Sequence, residues 1–180
     1  VRNMLYFFFS MSIVDLVIVV YNSIMDKLQE NYLEPFINLK GLLSQKIEQE
    51  SKDDFLTFVR MMAPSIVSDF RMGRHIEIIS NKLKQLEDGE IKRLMVFLPP
   101  RSSRSVICSK LFPAWYIGRN PQHEILTVSH SDQLSSDFGR SVRDVVNTED
   151  FQKVFRGVQL KSDVRAAGKW KTNQGGTYYA

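Results

Sequence analysis

Two short apolar runs in the second half of the chain each lead toward a segment with helical periodicity. This alternation restricts the fold more than any other feature. The first run is LMVFL at residues 94–98, and the second is EILTV at residues 124–128. Apolar runs of this length are typical of strands buried in a sheet. Strands that alternate with helices predict a parallel sheet with crossover helices, and therefore an α/β fold.

Residues 25–90 predict a helical region in three parts. Residues 26–50 carry apolar side chains at a helical period, and Pro35 should break or kink this helix. SKDDFLTFVRMM begins with polar and acidic residues, as helices do, and Pro64 should end the second helix. HIEIISNKLKQLEDG predicts a third helix, which Gly89 should terminate.

Two more helices are expected after the first apolar run. One begins at Ser105 and is bent or ended at Pro113, and it should place Trp115 and Tyr116 in the core. SDQLSSDFGRSVRDVVN predicts an amphipathic helix capped by Ser131 or Asp132. The final residues, WKTNQGGTYYA, predict a Gly-Gly turn entering another strand. Trp170 stands between two lysines, and core packing is favoured there over stacking on a nucleic acid.

The composition is that of an ordinary globular protein, since 43% of the residues are hydrophobic and 24% are charged. Residues 1–90 carry 10 Lys and Arg against 13 Asp and Glu, whereas residues 91–180 carry 14 against 7. The basic second half indicates either an anionic partner or a solvated basic surface. Cys108 is the one cysteine, which excludes an internal disulfide and a cysteine-based metal cluster.

The first residues, VRNMLYFFFSMSIVDLVIVVYNSIM, are strongly apolar. Residues 4–21 approach the length of a membrane span, but Asp15 near the middle would cost about 3 kcal/mol there. Three interpretations stay open: a start placed too early, with Met25 beginning the protein; a buried helix or strand; and a membrane anchor. The membrane anchor is the least favoured of these three interpretations. Three regions are therefore expected, at residues 1–24, 25–90 and 91–180.

The loop Pro99–Arg104 lies between the first apolar run and the helix that begins at Ser105. In α/β sheets, ligands bind where a strand ends and the next helix begins, because helix N-termini favour phosphate. The usual phosphate-loop signature, G-x-x-x-x-G-K-[ST], provides glycine for close approach, lysine for phosphate and a hydroxyl for Mg²⁺. Here Ser105 supplies the hydroxyl, Arg104 supplies the cation and Ser103 replaces the second glycine. The loop is therefore either a phosphate site or an ordinary turn with surface arginines.

Residues 58–180 contain three longer stretches with a common resemblance. They are GRHIEIISNKLKQLEDGEIKRLMVFLPPRSSRSV, LFPAWYIGRNPQHEILTVSHSDQLSSDFGRSVRDVV and AAGKWKTNQGGTYYA. In order and spacing they resemble the ATPase domain of the large terminase subunit of tailed bacteriophages, the motor that packages DNA into proheads. The resembling elements are a P-P-R-x-x-K-S loop after a strand, a F-P-A-W-Y-I-G-R-N-P phrase, a F-G-R element in a helix and a W-x-T-x-x-G-G segment.

The resemblance implies a P-loop NTPase-like parallel sheet with flanking helices, incomplete here and preceded by a helical region. It implies ATP and Mg²⁺ as cofactors. Arg101 matches the loop arginine that acts on the γ-phosphate, Arg104 falls on the loop lysine, and Ser105 falls on the Mg²⁺ ligand. Residues 58–75 match the region around the adenine. The implied binding residues are Pro100, Arg101, Ser102, Ser103, Arg104 and Ser105, of which Arg101 and Arg104 are the catalytic candidates.

The family's partners are double-stranded DNA, a terminase small subunit, a portal protein and further copies of the motor, in the cytoplasm of the host cell. Its acidic Walker B strand and its nuclease domain would follow residue 180. ATP binding is therefore expected more firmly than turnover. Two alternatives stay open: a non-enzymatic prophage remnant, and a basic module that binds nucleic acid.

Overall fold

The computed structural model describes residues 13–165 and 168–180, and for residues 13–20 and 162–165 it describes the backbone alone. The described chain is a mixed α/β structure in which helices predominate. The helices are α1 (Ile13–Leu28), α2 (Glu34–Asp53), α3 (Phe55–Ile66), α4 (Arg74–Glu87), α5 (Phe112–Arg119), α6 (Asp132–Val146) and α7 (Glu149–Val154). The strands are β1 (Glu124–Leu126), β2 (Leu160–Arg165), β3 (Lys169–Thr172) and β4 (Thr177–Tyr179). The first π-helical segment is Gln29–Leu33 and the second is Ser105–Leu111.

Residues 1–45 and 46–180 form two separate units. The divisions expected after residues 24 and 90 stay predictions. The first half of the apolar stretch at residues 4–21 lies outside the described residues, and its second half belongs to α1. Among the described residues, no helix combines the length and the apolar character needed to cross a membrane.

Three prolines lie inside helical segments instead of ending them. Pro64 stands within α3, which continues to Ile66. Pro35 and Pro113 each follow a π-helical segment that joins the next α-helix without a break in helical dihedral angles. At Pro35 and Pro113, the preceding residue donates its N–H to the carbonyl five residues back: Glu34 donates to Gln29, and Phe112 donates to Ile107. A proline ring collides with the carbonyl four residues before it, so a wider turn lets the helix continue.

Local capping explains where three helices begin or end. Asp54 caps α3, because its Oδ2 accepts a hydrogen bond from the backbone N–H of Thr57 at 2.7 Å. Ser131 caps α6 in the same way, accepting from the N–H of Leu134 at 3.3 Å. Gly89 follows α4 with a φ of 78°, a conformation that glycine adopts without a steric cost. The predicted caps at Ser131 and Gly89 are confirmed.

The core of residues 46–180 forms where α3, α4 and α6 surround the second π-helical segment and α5. Trp115 is fully buried, as predicted, and Tyr116 is half-buried. Trp170 is also fully buried, which confirms the expectation of core packing. The other hydrophobic side chains described without exposed surface are Phe55, Phe58, Val59, Met62, Ala63, Ile107, Leu111, Ala114, Ile117, Val142, Val146, Phe151 and Tyr178.

The sheet is mixed, and the expectation of a parallel sheet is wrong for most of it. Its four strands lie in the order β1-β4-β3-β2. Only β1 and β4 pair in parallel, whereas β2 with β3 and β3 with β4 pair antiparallel. The reason is the tight Gly-Gly turn between β3 and β4, because a hairpin reverses the chain where a crossover helix would have kept its direction.

The first apolar run, residues 94–98, is not a strand. It has no regular secondary structure and lies in no ladder with another described segment. Leu94, Val96 and Leu98 contact the core, whereas Met95 is 78% exposed and Phe97 is 81% exposed. Strand pairing requires a neighbouring strand, and sequence pattern alone does not reveal that none of the described segments lies beside this run.

The second apolar run forms the three residues of β1 and then continues without regular structure. Ile125 contacts the core, but Leu126 is 73% exposed and Val128 is 82% exposed. The expectation of a buried strand is therefore wrong for Leu126 and Val128. Successive side chains of a strand point to opposite faces of the sheet, so when only one face is covered, alternate residues of an apolar run face outward.

Gly176 holds the Gly-Gly turn against the loop before β1. Its N–H donates to the carbonyl of Pro121 at 3.0 Å, and the N–H of Thr177 donates to the carbonyl of His123 at 3.2 Å. A Cβ at Gly176 would lie 2.5 Å from the first carbonyl oxygen and 2.6 Å from the second. Only glycine can bring the two backbone segments this close.

We therefore expect Gly176→Ala to destabilise the protein by about 2–3 kcal/mol, because the backbone must separate to admit the methyl group. Gly168→Ala is the matched control, since a Cβ there would meet its nearest atom at 3.5 Å. That control should change stability by less than about 1 kcal/mol. Urea unfolding followed by tryptophan fluorescence measures both, and equal effects of the two substitutions would contradict the prediction.

Candidate phosphate-binding loop

The loop Pro99–Arg104 joins the first apolar run to the second π-helical segment. It curves around a concave pocket of about 380 Å³. Every binding residue expected from the sequence lines this pocket, namely Pro100, Arg101, Ser102, Ser103, Arg104 and Ser105. The second π-helical segment and α5 together run from Ser105 to Arg119, so the pocket opens at the N-terminus of a long helical segment.

Two residues of the loop adopt a backbone conformation that normally requires glycine. Arg101 has a φ of 64° and Ser103 has a φ of 58°. Each costs about 1–2 kcal/mol relative to an ordinary conformation. Ser103 stands where the phosphate-loop signature has its second glycine, so the chain keeps the glycine-type backbone with a serine in place.

The left-handed Ser103 is followed directly by a right-handed residue, since Arg104 has a φ of −52° and a ψ of −49°. Successive residues of opposite hand turn their N–H groups toward one point and form a concave anion site. The N–H groups of Arg101, Ser102 and Ser103 make no hydrogen bond of good geometry to an acceptor in residues 13–165 or 168–180. These donors are available to an anion.

The side chains of the loop add further unpaired donors. The hydroxyl of Ser102 is buried, yet it has no hydrogen-bond partner among the described residues. Arg101 and Arg104 are exposed, and neither forms an ion pair with a described carboxylate. A buried hydroxyl without a partner is uncommon in folded proteins.

Ser105 stands in the first turn of the helical segment, with its side chain exposed at the pocket. In the part of the chain that the structure describes, no group of three or more His, Cys, Asp or Glu side chains could hold a metal ion. Mg²⁺ often binds through few protein ligands, with phosphate oxygens and water completing its octahedron. The resemblance assigns this role to the Ser105 hydroxyl, and Ser105 lines the pocket.

Cys108 lies one helical turn beyond Arg104 and is half-buried. Burial raises the pKa of its thiol, and the nearby Arg104 guanidinium opposes this rise. Since only the thiolate is a strong nucleophile, this cysteine is a neutral, packed side chain at neutral pH.

An apolar groove of about 290 Å³ adjoins the loop, and Leu98 lines both cavities. The groove lies between α4 and the apolar run at residues 94–98, with His75, Ile78 and Phe97 on its walls. Residues 58–75 were expected around an adenine ring. Their last member, His75, does line this groove, whereas Phe58 at the other end is fully buried in the core.

Trp170 takes no part in a site at the surface. Its ring stacks on Tyr178 with centroids 4.9 Å apart and planes 4° from parallel, and its Nε1 donates to the carbonyl of Gly139 at 3.1 Å.

The sequence did not reveal the left-handed backbone at Arg101 and Ser103 or the unpaired hydroxyl of Ser102. No residue pattern marks these features, because they depend on dihedral angles and on the atoms that surround a side chain.

Comparisons with protein-family models, with curated proteins and with solved structures find no match to this chain. The proposal for the function of this chain therefore rests on the geometry of the loop and on the resemblance in residues 58–180.

The conformation of Ser103 leads to a stability prediction. Ser103→Gly should stabilise the protein by about 0.5–1 kcal/mol, because it removes the left-handed penalty and only part of that gain is offset by the freedom of glycine in the unfolded chain. Ser103→Ala is the control at the same position, because alanine keeps the penalty and should give no gain. Urea unfolding measures both variants, and a loss of stability in Ser103→Gly would contradict the φ of 58°.

Proposed function

We propose that residues 91–180 are the front part of a P-loop ATPase domain of the terminase large-subunit type. In this proposal the loop Pro99–Arg104 and Ser105 bind the phosphates of ATP. The left-handed backbone at Arg101 and Ser103 is the observation that carries the proposal. A chain without glycine in this loop has no steric reason to adopt two such conformations, and their effect is to direct N–H groups into one pocket.

The roles within the site are those that the resemblance to the terminase loop implies. Arg101 contacts the γ-phosphate, Arg104 takes the place of the loop lysine, and Ser105 holds Mg²⁺. Arginine is planar and bulkier than lysine, but it can hold a phosphate through two hydrogen bonds. The groove beside Leu98 takes the adenine, because an apolar slot next to a polar anion site matches the two ends of a nucleotide.

The proposed role of the whole protein is the ATP-driven packaging of double-stranded DNA. Its support is the resemblance of GEIKRLMVFLPPRSSRSV and FPAWYIGRNP to the terminase phrases, together with the basic excess in residues 91–180. The small subunit, the portal protein and a cytoplasmic location in the host cell belong to the same proposal. Hydrolysis in such a motor also needs carboxylates that position Mg²⁺ and the attacking water. For residues 91–180 themselves the proposal is nucleotide binding.

Nucleotide binding can be tested by thermal unfolding with and without Mg-ATP. A ligand at 100 times its dissociation constant stabilises a protein by about 2.7 kcal/mol, which for a domain of this size raises Tm by about 5–10 °C. Arg101→Ala should abolish most of this shift, because it removes the cation nearest the γ-phosphate. Arg71→Ala is the matched control, since Arg71 is exposed and pairs only with the neighbouring Asp69 at 3.3 Å.

The role of Arg104, which stands at the family's lysine position, is tested by comparing two substitutions. Arg104→Lys should keep or increase the shift, because lysine restores the slender cation of the family, whereas Arg104→Ala should reduce it. The absence of any shift at millimolar Mg-ATP in the unaltered protein would remove the ATP-binding proposal. It would favour the interpretation as a non-enzymatic remnant.

A basic module that binds nucleic acid is the second candidate, and the 14 Lys and Arg against 7 Asp and Glu in residues 91–180 favour it. It predicts that the protein retains duplex DNA without nucleotide and loses it as salt rises, because cations on the protein displace counterions from the phosphates. Gel-shift titrations at about 50 mM and 200 mM salt should differ at least tenfold in affinity. Retention that does not change with salt would contradict this candidate.

A further inference from the structure

The walls of the apolar groove beside the loop carry few polar side chains. Of the nine residues that line the groove, seven are apolar, and the two others are His75 and Lys82. Phe97 is 81% exposed, Met95 is 78% exposed and Ile78 is 53% exposed. The groove therefore offers a ligand large apolar surfaces and two polar side chains.

The groove and the loop pocket are continuous enough to hold one ligand. Leu98 lines both of them. The volume of the groove is about 290 Å³, close to the lower limit of about 300 Å³ for ligand pockets, which suits one flat ring system. A molecule with an anionic end and a flat, largely apolar end matches the two cavities together.

We infer that the groove holds the base of a nucleotide without reading its identity, so that the site accepts guanosine triphosphate as well as adenosine triphosphate. Phe97 is the main contact of the base. The inference rests on the proposed function, because the phosphates of the same nucleotide must occupy the loop Pro99–Arg104. It goes further by naming the substrate class as the purine nucleoside triphosphates.

The two polar side chains of the groove do not distinguish adenine from guanine. Lys82 can only donate hydrogen bonds, and N7 is an acceptor in both purines. Its Nζ already donates to Gln85 Oε1 at 2.9 Å. The neutral imidazole of His75 has one donor and one acceptor nitrogen, and its two tautomers exchange these roles. Each of these side chains can therefore serve either base.

Apolar contact makes the base contribute to affinity without making its identity matter. An aromatic side chain such as Phe97 can stack on any base, because every base has a π-face. An apolar pocket distinguishes substrates that differ by one methylene group only about 10–200-fold. A site that hydrogen-bonds its substrate rejects an analogue without the bonding group by about 10⁴–10⁵. Two purines of similar size should therefore bind here with similar affinity.

The test is isothermal titration calorimetry of the full chain with four ligands: Mg-ATP, Mg-GTP, Mg-UTP and Mg-tripolyphosphate. The dissociation constants of ATP and GTP should agree within about fivefold. That of UTP should be higher, because a pyrimidine covers less of the apolar walls. Tripolyphosphate has no base to stack and should bind at least about tenfold more weakly than ATP.

Substitution of Phe97 tests the contact with the base. Phe97→Ala should raise the dissociation constants of ATP and GTP by about five- to hundredfold, because one stacking contact is lost, and should leave that of tripolyphosphate unchanged. Phe97→Tyr keeps the ring and should keep the affinities within about twofold. Val128→Ala is the matched control, since Val128 is 82% exposed and lines neither cavity. Thermal unfolding without ligand checks that each variant is folded.

Three outcomes would overturn the inference and leave the loop as an anion site. The first is tripolyphosphate that binds as tightly as ATP. The second is ATP that binds more than about a hundredfold more tightly than GTP, which would mean that hydrogen bonds, such as those of the backbone at residues 94–98, read the base. The third is an equal effect of Phe97→Ala and Val128→Ala. If neither ATP nor tripolyphosphate binds, the proposed function fails and the inference fails with it.

Discussion

The burial of Trp115 is the interaction on which the rest of residues 46–180 depends. Its indole has no exposed surface, and its Nε1 donates to the carbonyl of Ser51 at 2.9 Å, at the C-terminal end of α2. The Arg119 guanidinium lies 5.0 Å from the centre of the indole ring, and its Nε donates to Glu87 Oε1 at 3.0 Å. One aromatic side chain therefore ties α5 to the ends of α2 and α4, and its position sets the axis of the helical segment Ser105–Arg119.

That segment connects the core to the candidate site. Its buried face includes Ile107 and Leu111, which fix the helix within two turns of the loop. Between Leu98 and Ser105 the chain turns within six residues, two of which, Arg101 and Ser103, have left-handed φ values. Such backbone conformations persist where the surrounding structure holds them. A loop held in advance in this way binds an anion with less loss of conformational entropy than a mobile one.

The apolar surfaces of the molecule fall into two kinds. One is the outward side of the runs at residues 94–98 and 124–128, where Phe97 and Val128 are more than four-fifths exposed. The other comprises the exposed large apolar side chains of residues 21–47, such as those of Leu39 and Leu42. Both have the periodicity of buried elements, with alternation in the runs and helical spacing in the helices. Periodicity records which face of an element is suited to burial, and tertiary structure decides whether a neighbour is there.

The sequence by itself determined the elements with strong local signals. Asp54 and Ser131 cap the starts of their helices through hydrogen bonds, and Gly89 ends α4 through its dihedral preference; both effects act within a few residues. The apolar positions of α3 and α4 lie in the core, as their spacing predicts. It also located the candidate loop, because the change from an apolar run to a helix is visible in the residues.

The tertiary structure decided what depends on distant atoms. It placed one parallel pair in an otherwise antiparallel sheet, left residues 94–98 without a strand partner among the described segments, and carried helices through Pro35 and Pro113 by widening a turn. It also gave Ser103 the conformation of a glycine. Strand pairing and loop dihedral angles are settled by which backbone segments lie side by side, and the order of residues along one segment does not contain that information.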